Sequence, residues 1–121
     1  MIYFDNAATT PLSKVAINTM IDLMSTVYGN PSSTHHHGRE ASKILRQARL
    51  TISQVLRTHP KNILFTSGGT ESNNTVLKGY ALKHQDLGKH IITTAIEHHS
   101  VLEPLHYLAS QFGFDITFIE P

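Results

Sequence analysis

The chain contains no cysteine among its 121 residues. That excludes disulfides, a thiolate nucleophile and a cysteine-ligated zinc site within it. Long apolar runs are missing too. Nothing approaches the roughly 18 consecutive apolar residues of a membrane span, and the mean hydropathy is −0.16. Neither sign of charge dominates: the net charge is +1 and both signs are interspersed, so nothing points to nucleic acid or to an anionic membrane. Met1 leads into Ile2-Tyr3-Phe4-Asp5 with neither a basic stretch nor a long apolar one. No secretory signal is therefore expected, and a cytoplasmic location is the default.

What is present supports a core. Hydrophobic residues make up 40% of the chain, and the length is that of one domain. The most informative segment is Thr66-Ser67-Gly68-Gly69-Thr70-Glu71-Ser72-Asn73-Asn74. It follows the apolar run Ile63-Leu64-Phe65 and precedes a helical pattern, an order that predicts strand, glycine turn and helix start. The first N–H groups of a helix have no intrahelical acceptor and sit at the positive end of its dipole. Glycine lets a ligand approach the backbone closely, and Thr70 adds a hydroxyl. Such a turn suits a phosphate group. Neither the Gly-Lys-Ser/Thr of a P-loop nor the Gly-x-Gly-x-x-Gly of a dinucleotide site is present, so the phosphate would belong to another kind of molecule. A turn that merely starts a helix is the plainer alternative.

Nine histidines are many for this length. His35-His36-His37 lie together in a predicted loop, where three adjacent rings do not readily face one ion. They also lack the i, i+4 helical spacing of a zinc site, so no metal is expected.

Hydrophobic spacing predicts helices after Pro11 to Val27 and over residues 39–57, with a polar loop at residues 32–38 between them. Residues 63–66 read as a short buried strand, residues 71–84 as a third helix and residues 91–95 as a β-branched strand. A fourth helix is expected over residues 101–112, beginning close to Pro104 and capped by Gly113. Residues 116–119 read as a third strand. Alternating strands and helices predict βαβ units and a parallel sheet. In such sheets ligands sit beyond the carboxyl ends of the strands. The Gly68-Gly69-Thr70 turn and the Glu97-His98-His99 turn both lie at such ends, one strand apart. A histidine beside a phosphate cradle can stack on a flat heteroaromatic ring or move protons; a histidine at a helix start can also be a surface or capping group.

Four segments together resemble a known family. Tyr3-Phe4-Asp5-Asn6-Ala7-Ala8-Thr9-Thr10-Pro11, Gly29-Asn30-Pro31-Ser32-Ser33-Thr34-His35 with Gly38-Arg39, Phe65 to Asn74, and His90-Ile91-Ile92-Thr93-Thr94 with Glu97-His98 are similar, in the same order, to cysteine desulfurases of the NifS/IscS type. The resemblance implies the α/β, parallel-sheet, three-layer fold of pyridoxal 5'-phosphate (PLP) enzymes of fold type I, here incomplete and with an N-terminal helical segment. Residues 1–60 would be an N-terminal arm and helical segment. Residues 61–121 would be the first part of the large PLP-binding domain, arranged βαβαβ. The family converts L-cysteine to L-alanine and holds the sulfur as an enzyme persulfide, which serves iron–sulfur cluster or thio-cofactor synthesis. By resemblance, Gly69 and Thr70 bind the cofactor phosphate and His98 stacks on the cofactor ring and takes part in proton transfer. Asn6 and Ala7 would lie on the substrate side.

The resemblance also implies what this chain does not contain. Family members are several-fold longer. The lysine that carries the cofactor, the aspartate that pairs with its ring nitrogen and the cysteine that accepts sulfur match nothing here. The chain is thus expected to be the N-terminal portion of a homodimeric enzyme that hands sulfur to an acceptor or scaffold protein, and to be inactive alone. The alternatives are a non-catalytic binding or dimerisation module and another class V aminotransferase relative such as selenocysteine lyase.

Overall fold

A computed structural model describes residues 2–120 of the chain. Two compact units form, Met1–Ile63 and Leu64–Pro121.

In the first unit, helix α1 spans Lys14–Thr26. The Ser13 hydroxyl caps it by accepting the Ala16 N–H at 3.2 Å, so Pro11 precedes the cap rather than opening the helix. Helix α2 spans His36–Val55 and takes in the last three residues of the segment expected to be a polar loop. The reason is local: the His35 imidazole serves as the N-cap, its Nδ1 accepting the Gly38 N–H at 3.4 Å. No side chain fits at Gly38, where a Cβ would strike the carbonyl oxygens of Ser33 and Asn30. At the other end, Thr58 N–H bonds Ser53 O at 2.9 Å and Arg57 N–H bonds Gln54 O at 3.3 Å. This closes the helix as a Schellman motif with Arg57 in the left-handed region, φ 51°, a position glycine usually fills. A single tighter turn, Pro60–Asn62, follows.

The second unit contains helix α3 (Gly69–Lys83), strand β1 (His90–Thr94), helix α4 (His99–Phe112) and strand β2 (Asp115–Ile119). The two strands pair in parallel, from His90 opposite Asp115 to Thr94 opposite Ile119, with α4 as the crossover. The expected strand at residues 63–66 does not form: the sheet among the described residues has two strands. Ile63 has extended backbone angles, yet Leu64 is 68% exposed and the run belongs to no ladder. An apolar, extended run becomes a strand only where a neighbour takes its backbone hydrogen bonds. Among the described residues the fold is an incomplete α/β arrangement of four helices and a small parallel sheet.

Helix α4 starts at His99, before the expected start near Pro104, and carries that proline in its interior. Gly113 ends it with φ 68°, its N–H bonded to Ala109 O. Lys89 donates from Nζ to the Phe112 carbonyl at 2.8 Å, a cation at the negative end of the helix. Leu105, Leu108, Ala81 and Phe114 make the core, with Leu77, Ile91, Val101 and Ile116 packed around it. This core clamps α3 against α4. Leu108 is fully buried, so Leu108→Ala is expected to lower stability by about 2–5 kcal/mol. Val76→Ala, at an exposed site on α3, should stay within about 0.5 kcal/mol. Chemical denaturation measures both, and equal effects would remove the core from this account.

Candidate functional site

The site lies where α3 and α4 begin. Gly68 is the N-cap of α3 and offers no side-chain hydrogen bond. Among the described residues, the N–H groups of Gly69, Thr70 and Glu71 have no protein acceptor, as the first turn of a helix dictates. Cβ atoms built on Gly68 and Gly69 would meet nothing within 4 Å. These two glycines are therefore not required by packing, and the space above them is open.

The turn itself is braced. Thr66 Oγ1 and Ser72 Oγ lie 2.7 Å apart. Glu71 reaches back so that its carboxylate accepts the Ser67 N–H at 2.6 Å. That backbone N–H, with the Ser67 hydroxyl, holds the Glu71 carboxyl below its ordinary value of 4.5. The acidic group at this helix start is thereby committed to the turn.

His98 is the N-cap of α4. Its Nδ1 accepts the Ser100 N–H at 3.0 Å and lies 2.9 Å from Ser100 Oγ. Asn73 of α3 donates from Nδ2 to the same hydroxyl at 2.9 Å. One side-chain run thus ties the N-terminal part of α3 to the first turn of α4. At the tip of β1, Thr94 donates to Glu97 Oε1 at 3.1 Å and steadies the loop that delivers His98.

The result is an open groove of about 330 Å³ lined by Thr70, Asn74, Lys78, His98, His99, Ser100, Glu103 and Pro104. Two of the expected site residues, Thr70 and His98, meet here, both exposed; Gly69 precedes Thr70 at the first helical position. Asn6 and Ala7 lie in the first unit, in a turn closed by Ala8 N–H to Asp5 O at 3.1 Å. Asn74, Lys78 and Glu103 were not singled out from the sequence. The signal existed: Thr70, Asn74 and Lys78 are spaced i, i+4, i+8 and so share a helix face. The Lys78 ammonium sits 4.6 Å from the centre of the Tyr107 ring. A second cavity, of about 350 Å³, is lined mainly by Val76, Leu77, Tyr80, Ile91 and Phe114 and is an apolar depression open to solvent beside the exposed Val76 and Tyr80. His37 stacks on Tyr28 at 5.2 Å, and among the described residues no three potential ligands are arranged to hold a metal.

Two helix N-termini bordering one groove make it favourable for an anion. The donor set suits a phosphate: free backbone N–H groups, a threonine hydroxyl and room above two glycines. An exposed, fixed imidazole beside it suits a flat ring. The residues present therefore fit the phosphate end and one face of a cofactor such as PLP.

Residues 2–121 match the family described as aminotransferase class-V, and the chain belongs to that family. Its relatives there include cysteine desulfurases. It is 48% identical over 118 residues to cysteine desulfurase IscS of Dictyoglomus turgidum, covering 98% of this chain and 30% of that protein. To the mitochondrial cysteine desulfurase of Saccharomyces cerevisiae it is 43% identical, covering 98% of this chain and 24% of that protein. Among solved structures, a NifS-like protein superimposes with a TM-score of 0.89 at 42% identity, over 98% of this chain and 32% of the other. SspA in complex with cysteine gives 0.88 at 40% identity, over 98% and 34%. The chain thus spans about a quarter to a third of these proteins. Its fold is the expected one, an incomplete piece of the fold type I architecture of NifS-like enzymes.

The glycines separate a cradle from a simple turn. Gly69→Ala is expected to leave stability unchanged or raise it by up to about 1 kcal/mol, and, if the turn is a phosphate cradle, to weaken binding of a phosphate-bearing cofactor such as PLP. Gly38→Ala should lower stability by about 1–3 kcal/mol through overpacking. Thermal unfolding and cofactor titration read the two effects; unchanged affinity in Gly69→Ala would reduce the turn to a helix start.

The Glu71 anchor predicts an acid dependence. Because the folded-state value is lowered, its contribution is present at pH above 4.5 and is lost as pH falls through the lowered value. The stability gap between the parent and Glu71→Gln should thus exist at neutral pH and close in acid. A gap independent of pH would show that the carboxylate charge is irrelevant.

Proposed function

We propose that this chain supplies the phosphate-anchoring and ring-facing part of the cofactor site in a PLP-dependent cysteine desulfurase. The observation that carries this reading is the meeting of Thr70, at an uncapped helix start, with His98, fixed by its own cap, on one groove. The names of the relatives support the substrate class.

Gly69 and Thr70 would hold the cofactor phosphate through backbone N–H groups and the Thr70 hydroxyl. The α3 dipole adds favourable potential there and costs no reorganisation. When bound, the cofactor supplies the electron sink for bond breaking at the substrate's α-carbon. His98 would lie against its ring, restrict its tilt and contribute a ring nitrogen for proton transfer. Asn6 and Ala7 would border the L-cysteine side. The reaction breaks the substrate Cβ–S bond, and sulfur passes to a cysteine thiolate as a persulfide, leaving L-alanine. This chain has no cysteine, so that thiolate comes from outside it, as do the lysine and aspartate that complete the cofactor site; alone, it is inactive. The persulfide then serves an acceptor or scaffold protein in iron–sulfur cluster or thio-cofactor synthesis, the enzyme acting as a homodimer in the cytoplasm. No helix among the described residues is long and apolar enough to cross a membrane.

Thr70→Ala removes one hydrogen bond to a charged group and should weaken cofactor binding by about 1.5–3 kcal/mol. Titration followed by absorbance measures it. His98→Ala should slow alanine formation roughly 10²–10⁴-fold with a smaller loss of cofactor affinity, and His99→Ala much less. Parental single-turnover rates in His98→Ala would make that residue a cap and nothing more.

A further inference from the structure

The hydrogen bonds around His98 determine where its proton sits. A backbone N–H is a donor only and cannot be turned around. The Ser100 N–H faces His98 Nδ1 at 3.0 Å, which favours Nδ1 as the lone-pair nitrogen. A neutral imidazole has one N–H and one acceptor, and the proton is therefore on Nε2. The Ser100 hydroxyl, 2.9 Å from the same Nδ1, then donates to the same lone pair in a shared, three-centre arrangement. That leaves the hydroxyl oxygen free to accept, and Asn73 Nδ2 fills that need at 2.9 Å. Every group in the run from Asn73 through Ser100 to His98 has compatible polarity. Ser100 is only 8% exposed, so water does not readily replace these partners.

We propose that Ser100, oriented by Asn73, is a positioning residue that fixes His98 as its Nε2–H tautomer, so that the ring offers the groove a hydrogen-bond donor rather than an acceptor. In reactions that use a histidine, the bond made by one ring nitrogen decides what the other can do. The imidazole here faces the groove as a hydrogen-bond donor through Nε2. The catalytic part of this inference rests on the reading of His98 given above; the tautomer does not.

The test separates the two. In cofactor-free protein carrying this chain, labelled with ¹⁵N-histidine and held at alkaline pH, the two ring nitrogens of His98 are read by NMR. The resonances are assigned by their loss in His98→Gln. The expected state is Nε2–H. An Nδ1–H ring, or a mixture in the parent protein, would overturn the proposal. Ser100→Ala and Asn73→Ala keep the backbone N–H and remove only the side-chain support. Both should raise the Nδ1–H population and lower kcat roughly 10–100-fold, by analogy with loss of the partner that orients a metal-bound histidine, with cofactor affinity little changed. Ser100→Thr retains the hydroxyl and should restore both readouts. If Ser100→Ala changes neither tautomer nor kcat, the ring is a helix cap and the proposal fails. A shifted tautomer with unaltered kcat would instead uphold the network and count against the catalytic reading of His98.

Discussion

Two helix starts must have their backbone N–H groups satisfied, and the way each is satisfied determines the rest of the second unit. Helix α4 is served by the protein itself, through His98 Nδ1. Helix α3 is not served: Gly68 brings no capping side chain, and Glu71 spends its carboxylate one residue upstream on Ser67. A capping side chain at an N-terminus is worth roughly 0.5–2 kcal/mol. Leaving α3 uncapped beside an open space gives up that stabilisation and keeps the donors available for an outside anion. The hydrogen bond between Asn73 and Ser100 then holds the free helix start next to the fixed imidazole.

The same contrast runs through the glycines. At Gly29 and Gly38 a Cβ would collide with backbone of the same unit, at His37 and at Ser33 and Asn30 respectively. Those residues are small because the protein needs the space. At Gly68 and Gly69 the space is empty, and at Gly113 the demand is a left-handed φ. One residue type therefore meets different constraints, and open space alone, which Gly79 and Gly88 share, does not mark a ligand site. Sequence alone does not distinguish them, because the neighbours that would clash are fixed by the fold.

Much of the fold was nonetheless legible. The helices are readable because their period is local, and α3 and α4 fall close to where apolar spacing puts them. Strands β1 and β2 are readable because β-branched runs bounded by Gly88 and Gly113 leave little else. The run at residues 63–66 has similar composition but no ladder, since pairing is a property of neighbours and not of the run. The helix starts were displaced for a shared reason: His35 and His98 act as caps through Nδ1, a use of histidine that spacing does not reveal. In the site, the glycine turn and His98 stood out by position at strand-to-helix junctions. Asn73 lay inside the quoted motif without an evident partner, because Ser100 is 27 residues away.

The core explains why the groove has a defined width. Ala81 and Leu77 of α3 belong to one core cluster with Leu105 and Leu108 of α4, around and beyond the middle of the two helices. Packing there fixes the approach of the two helices, while the polar run from Asn73 to His98 fixes it near their starts. The groove lies on the same pair of helices, with Thr70, Asn74 and Lys78 on one wall and His98, His99 and Glu103 on the other. Close-packed interiors transmit small displacements because they have few voids to absorb them. In this arrangement the apolar contacts set the distance between the two helix starts, and the polar contacts set the orientation of the ring that one of them presents.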